Sequence, residues 1–251
     1  MRLKKLIIIA LIIILPIIIY NTNIDKKIYY LSLGDSLALG QNPYNKIDYG
    51  FSDYVSIYLE ERKLLEFYSK KYADSDYRTT DLLRDIEKNK KIKDNGKYIT
   101  LKNALANADI VTLSIGFNDL IYKININNLN IDEIDSDELK LYVEEVKNDI
   151  EMLIEKIKLY CKEDIILIGY YNPFWHIDEN YALKIEDIFI YSNSELKKLA
   201  IKYDLYYVDV YNMFKENQSF FPNPKDFHPS NAGYRSLAQQ IISIINKNII
   251  N

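Results

Sequence analysis

The sequence predicts an α/β domain built around a parallel, five-stranded sheet. Short apolar runs alternate along the chain with longer amphipathic segments, which is typical of parallel strands covered by helices. The apolar runs are rich in β-branched and aromatic residues, which favour strands, and two of them end at a glycine, Gly34 or Gly116. We find no internal repeat and no second domain, so we expect one domain over residues 24–251.

Five apolar runs are predicted to form the sheet. The first is followed by Gly34, which permits backbone angles that other residues resist, so a strand is expected to end there. In chain order, the predicted strands cover residues 28–33, 65–72, 110–115, 165–170 and 205–209.

The segments between these runs predict the covering helices. Their apolar side chains recur at steps of three or four residues, which is the spacing of one helix face. A helix is also expected just after Gly34. The other predicted helices lie near residues 51–62, from residue 79 onward, and at 101–108, 139–160, 185–203 and 231–245.

Residues 1–23 carry the pattern of an export or membrane signal. Arg2, Lys4 and Lys5 precede an uninterrupted apolar run over residues 6–20, whose length fits a signal peptide or a short membrane anchor. The residues after the run offer no small-x-small cleavage site and no cysteine for lipid attachment, which favours an uncleaved anchor. The preceding positive charges predict that everything after the anchor lies outside the cytoplasm. Cleavage of the segment would instead make the protein secreted.

Composition argues against several classes of partner. The net charge is -4 and no basic stripe is interleaved with aromatic residues, so nucleic-acid binding is not expected. The single cysteine, Cys161, cannot form an intrachain disulfide, and no Cys/His cluster has the spacing of a zinc site. No Gly-x-Gly-x-x-Gly motif follows the first strand, so a dinucleotide is not predicted either. We therefore expect neither a metal nor an organic cofactor.

Polar residues follow three of the predicted strands at the point where each ends. Ser36 comes after the first strand and Asn118 after the third, while Asp226 and His228 come after the fifth. A parallel sheet brings the carboxyl ends of its strands to one edge, so these residues are expected to converge. A serine becomes a nucleophile when a histidine takes its proton and a carboxylate orients that histidine. The alternative is that Asp35 or Ser36 only caps a helix.

The sequence contains two histidines, and His228 is the better candidate for the base. It precedes Pro229 and a predicted helix start, and Asp226 is close enough to be its partner. His176 lies in the loop after the fourth strand, where it would line a cleft or simply be solvated. Asn118 is able to donate a hydrogen bond to a developing oxyanion, whereas we expect Asp119 to be structural.

Three motifs together resemble blocks of the GDSL, or SGNH, hydrolases. They are Gly34-Asp-Ser-Leu37, Gly116-Phe-Asn-Asp119 and Asp226-Phe-His-Pro-Ser-Asn-Ala-Gly-Tyr234. The resemblance spans residues 28–245 and implies a three-layer α/β/α sandwich of the flavodoxin-like type. It also implies that Ser36 is the nucleophile and His228 the base. Asn118 would form the oxyanion hole together with the backbone N–H of Ser36.

The chain departs from the family pattern at two positions. Residues 72–83 resemble the second family block, but Asp76 stands where an oxyanion-hole glycine is expected. Aspartate keeps the backbone N–H, yet its carboxylate would repel an oxyanion and its backbone angles are less free. In addition, the triad acid often precedes the histidine by three residues, where this chain has Lys225. We assign the acid role to Asp226.

The expected activity is hydrolysis of carboxylic esters. A membrane location suits a lysophospholipid or another acyl lipid, and the same compartment suits an O-acetylated wall polysaccharide. The sequence does not choose between these substrates. Because Asp76 replaces the glycine, a non-catalytic surface binding protein on a degenerate hydrolase fold is a further hypothesis.

Overall fold

The computed structural model describes residues 27–94, 96–124, 135–174 and 179–250, without the side chains of residues 179–182. The predicted anchor over residues 1–23 lies outside this part of the chain, and so does His176. Among the helices of the described ranges, none has both the length and the apolar character needed to cross a bilayer.

A five-stranded parallel sheet forms the centre of the domain, as predicted, in the order β2-β1-β5-β6-β7. The second strand is shorter than predicted because the chain turns after Ser69, and Tyr72 enters the core and donates a 3.0 Å hydrogen bond to the Ile99 carbonyl. The strands of this sheet are β1 Ile28–Gly34, β2 Leu65–Ser69, β5 Ile110–Ser114, β6 Asp164–Ile168 and β7 Tyr206–Val208.

The structure also contains an antiparallel hairpin that was not predicted. It consists of β3 Lys91–Asp94 and β4 Lys97–Thr100. Of these strand residues, Ile92 alone is buried, so the hairpin has almost none of the apolar alternation that marks a strand in sequence.

The helices largely follow the predicted segments. Two helices, Phe117–Ile124 and Tyr211–Lys215, were not predicted, because each is short and follows a strand almost directly. In chain order, the helices are α1 Ser36–Leu39, α2 Phe51–Glu61, α3 Thr79–Glu87, α4 Leu101–Asn107, α5 Phe117–Ile124, α6 Ser136–Lys158, α7 Glu179–Tyr203, α8 Tyr211–Lys215 and α9 Asn231–Ile244.

The helices cover both faces of the sheet and give three layers. On one face, α2 and α9 pack against Tyr30 and its neighbours through apolar residues that include Val55 and Leu237. On the other face, helices α3 to α7 bury an apolar cluster around Leu33 and Leu113. This is the α/β/α sandwich that the resemblance implied.

Gly34 allows β1 and β5 to approach closely at the edge of the sheet where the polar residues lie. Its φ is +128°, and a Cβ atom at this position would lie 1.7 Å from the Ser114 carbonyl oxygen. Only glycine fits such a position, so the sharp exit from β1 toward Ser36 depends on it.

Candidate active site

Ser36 lies at the junction of β1 and the single-turn helix α1. The cap of this helix is Asp35, whose side chain accepts hydrogen bonds from the Leu37 N–H and the Ser114 hydroxyl, each at 3.1 Å. Capping is therefore the role of Asp35, and the Ser36 hydroxyl is directed to a different partner.

That partner is the ring of His228. The Ser36 Oγ lies 2.8 Å from His228 Nε2, and His228 Nδ1 lies 2.8 Å from Asp226 Oδ1. The same Asp226 oxygen accepts the backbone N–H of His228, also at 2.8 Å. The structure thus brings Ser36 to His228 across 192 positions of sequence, with Asp226 behind the ring, in the hydrogen-bonded order that an activated serine needs.

Burial shifts the pKa values of the two titratable groups next to Ser36, which are His228 and Asp35. It lowers the pKa of His228 below its ordinary value of 6.5, although Asp226 opposes this change by favouring the charged ring. Burial also raises the pKa of Asp35 from 3.8 to about 7, against the hydrogen bonds that this carboxyl accepts. A neutral His228 at neutral pH is ready to accept a proton from Ser36.

We expect ester hydrolysis to lose activity in acid because His228 becomes protonated. The value of kcat/KM, measured with a short ester from pH 5 to 8, should rise through an apparent pKa below 6.5 and then level off. Asp35→Asn is the control, because it removes the carboxyl next to Ser36, whose pKa of about 7 also lies in this range. A profile that stays flat down to pH 5 in both proteins would contradict the assignment of His228 as base.

Asn118 lies at the start of α5, and its amide holds the loop that precedes α3. Its Nδ2 donates to the carbonyl oxygens of Ser75 at 3.2 Å and Tyr77 at 3.0 Å. An amide NH₂ has two hydrogens, so both are engaged with this loop, and donation by Asn118 to an oxyanion stays a prediction. Asp119 has the structural role that was expected, since it accepts hydrogen bonds from the backbone and the hydroxyl of Thr79.

In sequence, Asp76 stands between Ser75 and Tyr77, whose carbonyl groups Asn118 binds. Its side chain is exposed and it is not among the non-glycine residues with positive φ, so this backbone position does not require glycine. The loop is tied to β1 by a 3.2 Å hydrogen bond from the Asp74 N–H to the Gly34 carbonyl. Within the described residues, neither the Asp76 N–H nor the Ser36 N–H is bonded to another backbone group. The remaining disadvantage of Asp76 is its charge.

Removing that charge is expected to raise turnover. Two unit charges about 4 Å apart in water repel by about 1 kcal/mol, which is the upper limit for this exposed carboxylate, so Asp76→Gly should raise kcat by up to roughly fivefold. Asp76→Asn is the matched variant because it removes the charge and keeps the side chain, and it should give the same gain. The gain should shrink as the salt concentration rises. A loss of kcat in both variants would show that the carboxylate assists the reaction.

Gln41 is a buried residue of the site that the sequence did not single out. Its side chain accepts a hydrogen bond from the Ser75 hydroxyl, and its Nε2 lies 3.5 Å from His228 Nδ1. Its carbonyl oxygen accepts the Tyr234 hydroxyl at 2.6 Å. Gln41 therefore connects the Ser75 loop to α9 through hydrogen bonds, and its amide nitrogen lies beside the His228 ring without bonding to it, since Nδ1 already donates to Asp226. In the sequence, nothing except its position after Gly40 distinguishes this glutamine.

Comparison with known proteins shows which family the chain belongs to. The sequence model of the GDSL-like lipase/acylhydrolase family matches residues 30–241. The uncharacterised protein YpmR of Bacillus subtilis is 26% identical over 240 residues, which are 91% of this chain and 85% of that protein.

The solved structures that share the fold include a lipase and an acetylxylan esterase. The lipase Lip_vut3 from a goat rumen metagenome aligns with a TM-score of 0.67 at 22% identity, over 85% of this chain and 95% of that one. The acetylxylan esterase Axe2 of Geobacillus stearothermophilus aligns with a TM-score of 0.61 at 19% identity, over 91% of this chain and 98% of that one. The family match covers most of the described domain and includes Ser36, Asp226 and His228. The chain therefore belongs to the GDSL-like lipase/acylhydrolase family and is an ester-bond hydrolase.

Proposed function

We propose that this protein hydrolyses carboxylic esters through a covalent acyl-enzyme formed on Ser36. The observation that carries the proposal is the pair of 2.8 Å contacts that join Ser36 to His228 and His228 to Asp226. Such a chain couples a weak nucleophile to a base and the base to an orienting carboxylate.

In the first half of the reaction, Ser36 Oγ attacks the ester carbonyl carbon while His228 Nε2 takes the hydroxyl proton. Asp226 accepts the Nδ1–H of His228, which selects the tautomer with a free Nε2 and stabilises the imidazolium. The tetrahedral intermediate then collapses. The bond from its carbon to the alcohol oxygen breaks, and His228 returns the proton to that oxygen so that the alcohol leaves.

The second half regenerates the enzyme with water in place of the serine. His228 takes a proton from a water molecule, whose oxygen attacks the acyl carbon. The bond to Ser36 Oγ breaks and Ser36 recovers its proton from His228, which releases the carboxylic acid. The backbone N–H groups of Ser36 and Asp76 are the oxyanion donors that this proposal requires. Asn118 becomes a third donor if its amide exchanges one of its bonds to the Ser75 and Tyr77 carbonyls for a bond to the oxyanion.

A single assay tests this function against the non-catalytic alternative. The protein is incubated with p-nitrophenyl acetate, and p-nitrophenol release is compared with that of heat-unfolded protein at the same concentration. We expect many turnovers per molecule from the folded protein only. Release that does not exceed that of the unfolded sample would favour the binding protein on a degenerate hydrolase fold.

We further propose that the domain acts outside the cytoplasm, held at the membrane by residues 1–23. The support is the sequence pattern of Arg2, Lys4 and Lys5 before the apolar run. The intact mass of the mature protein tests this proposal. A chain that begins between Tyr20 and Lys27 would show that the segment is cleaved.

A further inference from the structure

A small cavity opens beside Ser36, between the ends of the central strands and the His228 loop. Its volume is about 20 Å³. Ser36 forms part of its wall, and Phe117, Tyr170, Tyr171 and Phe227 supply aromatic surface. Asp35 and Ser114 also line the cavity. An acyl group attached to the Ser36 oxygen is therefore adjacent to a small, mostly apolar space.

The volume limits the acyl groups that fit. A single water molecule needs about 10–15 Å³ of such space, so a cavity of this size holds one or two non-hydrogen atoms. The methyl of an acetyl group meets that limit. An octanoyl chain carries six further methylene groups, which this volume does not hold and which would extend out of the cavity toward solvent.

The Tyr171 side of the cavity is held firmly. The Tyr171 hydroxyl donates a 3.1 Å hydrogen bond to the Phe227 carbonyl, which joins the strand end to the His228 loop. The Tyr171 ring also packs against Phe214 and Phe221, with centroid distances of 4.5 and 5.2 Å. Movement of this wall would break contacts on both of its sides.

Phe117 lies next to Tyr171, with 6.5 Å between ring centroids, and is held in a similar way. Its ring lies 5.4 Å from the ring of Phe227 and 6.0 Å from that of Phe189, between centroids. It also meets Tyr170 edge-on at 6.2 Å, and the Tyr170 hydroxyl is bonded to the Ile115 carbonyl at 2.9 Å. Close-packed aromatic walls resist expansion, because added methylene groups force side chains out of their preferred rotamers.

We propose that this cavity is the acyl site and that it selects acetyl esters over esters of medium and long fatty acids. The inference rests on the proposed function, since it takes Ser36 to be the acylated residue. It favours an acetylated alcohol or sugar as the substrate and disfavours a long-chain lipid.

The test compares p-nitrophenyl acetate, butyrate and octanoate, which share one leaving group. In the wild-type protein we expect kcat/KM for the acetate to exceed that for the octanoate by about a hundredfold or more. Phe117→Ala removes one wall, so it should lower this ratio by at least about tenfold. Phe67→Ala is the matched control. Phe67 is also half-buried and stacked on another ring, but it lies on β2 and does not line the cavity.

Each outcome separates this inference from the function on which it rests. Hydrolysis with octanoate equal to or better than acetate in the wild type would overturn acetyl selection and keep the esterase. No hydrolysis of any of the three esters would overturn the esterase and the inference with it. A folded Phe117→Ala protein with an unchanged ratio would show that this cavity does not set the acyl length. If that variant does not fold, the wild-type ratio alone decides.

Discussion

Replacing Ser36 with alanine is expected to abolish hydrolysis of p-nitrophenyl acetate, with kcat falling by about 10⁴-fold or more. The hydroxyl that forms the acyl-enzyme is lost, and no neighbouring group replaces it. The fold should persist, because the change removes one oxygen atom whose hydrogen bond is to His228, while the helix cap is supplied by Asp35. Steady-state kinetics and thermal unfolding followed by circular dichroism measure the two effects separately.

Ser56 provides the control for that experiment. Like Ser36 it is a buried serine with one side-chain hydrogen bond, in this case a 2.8 Å bond to the Asp53 carbonyl in helix α2. Ser56→Ala should keep kcat near the wild-type value. A Ser36→Ala protein that retained a tenth or more of its activity would show that another residue is the nucleophile.

Asp226→Asn is expected to lower kcat by about 10³- to 10⁴-fold without unfolding the protein. In the native site, Oδ1 of Asp226 accepts both the ring Nδ1–H and the backbone N–H of His228. An asparagine that directs its NH₂ toward the ring favours the tautomer with hydrogen on Nε2, and that tautomer cannot accept the Ser36 proton. The amide also cannot stabilise the imidazolium by charge. Steady-state kinetics at several pH values measure the loss.

The Asp226→Asn variant tests whether the triad acid stands two residues before His228. Lys225 stands where the family often has its acid, and it is exposed. Lys225→Ala should therefore leave kcat within about twofold of wild type, as expected for a change at the surface. A loss of less than tenfold in Asp226→Asn would remove Asp226 from the triad.

The sequence predicted the three inner strands of the central sheet well because they are almost fully buried. Strands covered on both faces read as continuous apolar runs, as residues 110–115 do, and such runs stand out from the amphipathic helices between them. The approach of the Asn118 loop to Ser36 at one edge then followed from parallel topology. His228 was expected at a strand end, but it lies after α8 in a long loop, and that loop brings its ring to Ser36. The strand ends were less well predicted, because Tyr72 is as apolar as a strand residue but lies in a turn.

Other features of the site arise from tertiary contacts that leave no local pattern. The engagement of the Asn118 amide by two carbonyl groups depends on how the loop around Asp76 folds back onto α5. Gln41 reaches His228 across 187 residues of sequence, and a single buried glutamine has no periodicity to reveal it. The cavity beside Ser36 is likewise set by aromatic rings from separate loops. Because tyrosine is abundant throughout the sequence, the few aromatic residues that line the cavity could not be recognised from composition.

The central claim is that Ser36 is an activated nucleophile, and labelling with a fluorophosphonate tests it most directly. Such a probe forms a covalent bond with a serine oxygen that a neighbouring base has activated. We predict one adduct per folded chain, mapped by mass spectrometry to the peptide that contains Ser36 and absent from Ser36→Ala. A folded protein that remained unlabelled, or an adduct at another residue, would contradict the account.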